Sequence, residues 1–306
     1  MKKYILILFL ILLIPSITLA CDICGCGVGN SYLGILPDFR KHIFGLRYRY
    51  NTMQTHLGIG GSTSYLTTKE TYQTIEAWGG WTFGKNLRLM ASIPYSFNEK
   101  MNQGMAKRKD GLGDITLSGY YQVLNSRRPV LSNKLLIQSL WIGTGLKFAT
   151  GKYNPADKTG TSESANLFQL GTGSYDLNIG AMYDLRLQDV GMNLNTNYKI
   201  ATANKYDYQY GNKFTLNAQA YYKLRIKKVT LSPNAGAQYE KAESDMDESF
   251  TVNASGGYIW LGTVGLEAAF GKMAIGANFQ TPVAQQLAKG IVSANNRVMV
   301  HFAFAL

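Results

Sequence analysis

From residue 39 onward the chain alternates apolar and polar residues with a period of two, and no useful stretch shows the 3.6-residue period of an amphipathic helix. Residues 87–98 show the pattern: Leu87, Leu89, Ala91, Ile93, Tyr95 and Phe97 fall on one face, and Arg88, Met90, Ser92, Ser96 and Asn98 on the other, with Pro94 as the exception. Residues 192–200 repeat it, with Met192, Leu194, Tyr198 and Ile200 set against Asn193, Asn195, Asn197 and Lys199. Such a chain is all-β, and each strand has one greasy and one hydrophilic face.

The alternation predicts twelve strands, near 39–53, 71–83, 87–98, 112–124, 136–150, 174–187, 190–202, 212–225, 228–241, 258–270, 273–282 and 296–306. A tilted strand crosses a bilayer in about 9 to 11 residues, so most are long enough to span one. Connections after even strands are tight, as at Gly84-Lys85-Asn86, Gln188-Asp189, Ile226-Lys227 and Gly271-Lys272, with 126–133 an intermediate case; those after odd strands are long and polar, as at 99–110, 150–164 and 242–249. That two-sided rhythm is the signature of a transmembrane antiparallel β-barrel with short periplasmic turns and long external loops. Gly 32, Tyr 20 and Phe 13 against Pro 7 and 16% charged residues suit aromatic-rich sheet. Tyr95, Phe97, Phe148, Tyr198, Tyr222, Phe279, Phe302 and Phe304 supply candidates for interfacial girdles. A soluble barrel would reverse the polarity of the two faces.

The first residues read as a secretory signal over 1–20: Lys2 and Lys3, an apolar run from Tyr4 to Ile14, and the cleavage context Thr18-Leu19-Ala20. The expected organisation is then a periplasmic N-terminal segment over 21–38 and a barrel over 39–306 in the outer membrane of a Gram-negative bacterium. The formal charge is +12, of which Lys2 and Lys3 carry two. Export argues against a nucleic-acid partner and leaves anionic lipid and small solutes.

Cys21, Cys24 and Cys26 stand together at the predicted new N-terminus, and the chain has no other cysteine. Three fates are open. Closely spaced thiolates bind soft metals such as Cu or Zn; two cysteines in an oxidising compartment form a disulfide; and cleavage before Cys21 allows its lipidation, as in a lipoprotein, although Thr18 stands where a bulky aliphatic residue is usual.

With the apolar faces toward lipid, the opposite faces line the lumen. Its basic residues are Arg47, Arg49, Arg88, Lys147, Arg186, Lys199, Lys213, Lys223, Arg225 and Arg297; its acids are Glu76, Asp114, Asp176, Asp184, Glu240 and Glu267; His301 also faces inward. The surplus of positive charge favours anions if the lumen conducts. Pairing across strands would instead close it, and a barrel of this size permits either outcome. An enzyme is not expected: His42, His56 and His301 are scattered, and none is joined to a nucleophile and an orienting group.

The stretch "DGLGDITLSGYYQVL" at 110–124, with Gly111 to Asp114 opening a strand, is followed by "TGLKFATGKYNP" at 144–155 and by Gly171 to Gly180. In order and spacing these resemble the outer-membrane transporter family named after the meta pathway of phenol degradation. The resemblance runs from about residue 85 to the C-terminus and implies a porin-like channel or transporter without identifying a solute. The start "CDICGCGVGNSYLGILP" is similar to that of Bacteroidetes-type outer-membrane barrels. Two functions follow as expectations: a channel for a small solute with mild anion bias, or a closed structural barrel whose cysteine segment binds a metal or a periplasmic partner.

Overall fold

The computed structural model describes residues 42–130, 134–157 and 166–306, except the side chain of Ile59. The predicted signal at 1–20 and the cysteine segment at 21–38, with Cys21, Cys24 and Cys26, lie outside the described residues.

Twelve strands form the wall: β1 Ile43–Thr55, β2 Thr68–Phe83, β3 Leu87–Asn102, β4 Thr116–Val130, β5 Lys134–Lys147, β6 Asp176–Leu187, β7 Val190–Ile200, β8 Lys213–Tyr222, β9 Val229–Ala242, β10 Gly257–Phe270, β11 Met273–Leu287 and β12 Ser293–Ala305. Each pairs antiparallel with its chain neighbours, and β1 pairs with β12 from Ile43↔Ala305 through Arg47↔His301 to Gln54↔Ser293. The sheet is therefore closed. In hydrocarbon an open edge would leave backbone N–H and C=O groups unbonded at several kcal/mol each, and closure removes every edge.

Phe44, Leu46, Ile75, Ile93, Leu117, Val264 and Val300 are exposed on the outer surface, whereas Arg47, Glu76, Arg88, Lys199 and Gln238 are buried inside. Phe44 and Phe304 meet at 5.5 Å between ring centres near the short-turn end, and Tyr95 and Phe97 at 5.0 Å nearer the long-loop end. A band that is apolar outward and bounded by aromatic rings at two levels suits a bilayer.

The sheet departs from the expected pattern on the long-loop side. Residues expected to form a loop after β3 instead prolong it to Asn102 and return as a strand over Met105–Leu112, paired from Asn102↔Met105 to Tyr95↔Leu112. β4 meets β3 only from Leu87↔Tyr121 to Ser92↔Thr116. Pro94, the exception to the alternation, lies where β3 changes partner, a position where a missing N–H is tolerated. β4 also continues to Val130, β11 to Leu287, and β12 begins at Ser293, so those links are shorter than the alternation suggested.

Candidate functional site

The interior divides into a packed half and an open half. Beneath β8 to β11, amides fill the lumen: Asn217 donates to Gln238 at 2.9 Å, Gln280 to Gln238 at 3.1 Å, Gln219 to Thr263 at 2.5 Å, and Gln238 to Glu240 at 2.5 Å. A buried amide is costly unless it is hydrogen-bonded, and these bonds meet part of that need. The other half holds a chamber of about 1680 Å³, counting its opening to solvent, with Arg47, Arg49, Lys147, Lys199 and Arg297 on its walls and Glu76 and Asp114 as its acids.

The cations stand on strands whose register brings them together. Arg47 on β1 faces Glu76 on β2 and His301 on β12. Glu76 lies 3.0 Å from Arg49 and 3.9 Å from Arg47, and it accepts a bond from the Ser92 hydroxyl at 2.6 Å. Glu240 is shared in the same way, 2.7 Å from Arg297 and 3.1 Å from Lys213. Across the chamber Lys147 is held by Asp114 at 2.8 Å and Asp176 at 2.9 Å, with Lys199 3.9 Å from Asp176.

Towards the short turns, Arg88 packs over the Trp141 ring at 5.6 Å and donates to Thr82 at 3.2 Å. His301 lies 3.0 Å from Glu267. Asp184 accepts from Tyr221 at 3.0 Å, with Lys223 over the Tyr221 ring and the half-buried Arg186 on the same strand as Asp184. Arg225 is placed elsewhere than expected: it is exposed and pairs with Asp189 at 2.7 Å, because β8 ends at Tyr222 and Leu224–Ile226 pairs with the start of β9 as part of the turn.

Sequence reasoning missed a strap across the long-loop end. The chain between β5 and β6 turns inward at 166–174, where Asn166, Leu167, Phe168, Gln169, Thr172 and Ser174 are buried. Leu167 and Phe168 pack with Met53, Tyr72, Ile259, Leu261, Leu287 and Val292, residues from four strands and the last loop, and so lay an apolar layer across that end. The strap is tied at several points: Asn98 donates to the Gln169 carbonyl at 3.3 Å, Lys109 to that of Phe168 at 2.5 Å, and Asn204 to that of Thr172 at 3.0 Å.

Its anchor is Asp114, the acid of the Gly-Leu-Gly-Asp stretch. Oδ1 accepts from Gly151 N–H at 2.9 Å, and Oδ2 accepts from the N–H and the hydroxyl of Thr172, both at 2.8 Å, and from Lys147. The two glycines are needed because the backbones nearly touch: a Cβ on Gly171 would lie 2.6 Å from the Gly151 Cα and 2.4 Å from Asp114 Oδ1. Gly151 and Gly171, one from each glycine-bearing stretch, thus meet around one carboxylate.

Among the described residues no group of three or more His, Cys, Asp or Glu could hold a metal. The arrangement offers a donor-rich, positively charged chamber beside an apolar layer.

A family model described as "Putative MetA-pathway of phenol degradation" matches residues 47–281. No curated protein matches the chain by sequence. Among solved structures, an outer membrane channel from Pseudomonas putida F1 superposes with a TM-score of 0.60 at 12% identity, over 89% of this chain and 100% of that one. The β domain of the Bordetella autotransporter BrkA gives 0.49 at 11% identity, over 87% and 100%. The fold is that of an outer-membrane β-barrel.

Proposed function

The chain belongs to the family of the MetA-pathway of phenol degradation, and from that premise we propose that it is an outer-membrane channel for small solutes with a mild preference for anions. The chamber carries the reading. Five cations and two carboxylates line it, and fixed positive charge in a narrow, poorly screened passage raises the local concentration of anions. The Leu167–Phe168 layer sits in series with the chamber, so passage requires the strap to move aside. Membrane lipid contacts the outer band, and the short turns face the periplasm.

Planar-bilayer recording of the purified full chain tests this. Discrete single-channel steps are expected, with a reversal potential displaced toward that of chloride under a KCl gradient, and Phe168→Ala should enlarge or lengthen the openings. A heat-modifiable, correctly folded barrel that stays silent in both forms would overturn the channel reading.

The apolar layer itself favours the second reading: a closed barrel serving structure or interaction, with Cys21, Cys24 and Cys26 binding Cu or Zn, carrying a lipid on Cys21, or docking a periplasmic partner. Intact-mass measurement of the mature protein separates these, since metal, acyl chains and a disulfide each change the mass differently.

A further inference from the structure

Along the wall that runs from β8 round through β12 and β1 to β2, two carboxylates are each shared between two cations. Glu76 serves both Arg47 and Arg49, and Glu240 serves both Arg297 and Lys213, so four cations share two carboxylates. On the far wall Lys147 and Lys199 face Asp114 and Asp176 one for one. Of the five cations that line the chamber, Arg47, Arg49 and Arg297 therefore stand on one side, with Glu76 as the carboxylate of that side of the lining. Within it Arg49 and Arg297 are diagonal neighbours on adjacent strands, since Arg49 pairs with Met299 and Arg297 with Asn51. Both line the chamber with Gln280, an amide beside them.

The same chamber has an apolar side. Met90 and Pro94 on β3 and Leu170 on the strap all face it, and a Cβ on Gly113 would touch the Pro94 ring at 3.0 Å and the Leu170 carbonyl at 3.2 Å. An inorganic anion needs no such surface. A ligand with a carboxylate and a short hydrocarbon chain would use both sides: guanidinium forks match carboxylates in geometry and charge, and the chain would remove apolar surface from water. We propose that the chamber is a binding site for small aliphatic carboxylates, with the head held by Arg49 and Arg297 and the chain against Pro94 and Leu170.

The inference rests on the chamber being the solute path, and its test separates the two ideas. Pentanoate binding to the full chain in lipid nanodiscs is followed by saturation-transfer NMR, with empty nanodiscs subtracted and with pentanol and acetate as comparisons. Saturable pentanoate binding is expected, with pentanol failing to compete and acetate weaker. Arg49→Lys and Arg297→Lys retain the charge beside Glu76 and Glu240 and so preserve the folded barrel, but lose the fork; each should weaken pentanoate about 10-fold. Leu170→Ser should reduce the advantage of pentanoate over acetate. Equal binding of pentanol and pentanoate, or unchanged affinity in both lysine variants, overturns the proposal. A silent barrel that still binds pentanoate in this pattern supports the site while removing the channel reading, and a conducting barrel without saturable binding removes the site alone.

Discussion

The Asp114 carboxylate accepts two hydrogen bonds from Thr172, 58 residues further along the chain, through the backbone N–H and the hydroxyl, both at 2.8 Å. This pair joins the start of β4 to the strap, so Asp114 is one of the ties that hold the strap in the lumen. Asp114→Asn keeps the size but gives up the charge and an acceptor. Hydrogen bonds to a charged group contribute about 1.5 to 3 kcal/mol each, while Lys147 retains Asp176 as a partner. The expected outcome is a folded barrel with a released strap, seen as faster proteolysis within the strap and longer single-channel openings.

Gly171→Ala should act through the same joint by a different physical route. The added methyl would stand 2.4 Å from Asp114 Oδ1 and 2.6 Å from the Gly151 Cα, a clash with backbone that no rotamer relieves. Overpacking of this kind costs about 1 to 3 kcal/mol. Hydrogen exchange at Gly151 and Thr172 should rise, with little change in the wall strands. Exchange unchanged at those two amides would show that the contact does not hold the strap.

His56 gives the long-loop end a pH dependence of definite sign. Burial first, and then the charge of Lys100, hold its imidazole below the ordinary value of 6.5, with Glu70 opposing them. Glu70, Lys100 and Asp157 are the charged groups that share its small cavity. Since the folded chain disfavours the protonated ring, the unfolded chain binds more protons, and stability is complete above pH 6.5 and is lost as pH falls through the depressed folded value. Urea unfolding in detergent should show a midpoint that drops between about pH 7.5 and pH 5. His56→Gln should flatten that part of the profile.

Much of the wall was legible in the sequence because lipid on one side and polar lumen on the other force a period of two, which a one-residue shift would invert. The pairs Arg47↔His301 and Arg47↔Glu76 follow from that rule once the strands are ordered. The strap did not share in this. Leu167 and Phe168 are adjacent and both buried, because a chain crossing a lumen is surrounded on all sides and has no alternating face to display. The Met105–Leu112 strand stands beyond the apolar band, where Lys107 and Lys109 both reach Asp157, so no lipid imposes a pattern on it. The spaced glycines were visible as a motif, but their purpose, a backbone contact around Asp114, depends on segments far apart in sequence. Arg225 was misplaced for a related reason: alternation continues past the point where the strand ends and the turn begins.

The orientation of the wall makes the strongest demand on membrane insertion. Ile93 is 44% exposed on the outer face, in register with Ala77 and, through it, with Leu46, at a level between the Phe44–Phe304 contact and the Tyr95–Phe97 contact. An arginine there must enter hydrocarbon near mid-depth, at a cost of about 2 to 4 kcal/mol. Ile93→Arg should lower the unfolding free energy in liposomes by that amount, whereas Ile93→Leu should be nearly neutral. The neighbouring Ser92 points the other way and bonds Glu76, so Ser92→Ala should leave insertion unchanged and alter conductance through the loosened Glu76 carboxylate. If Ile93→Arg were as stable as the native chain in lipid, the outer face could not be the membrane-facing one, and the assignment of the polar face to the lumen would fall with it.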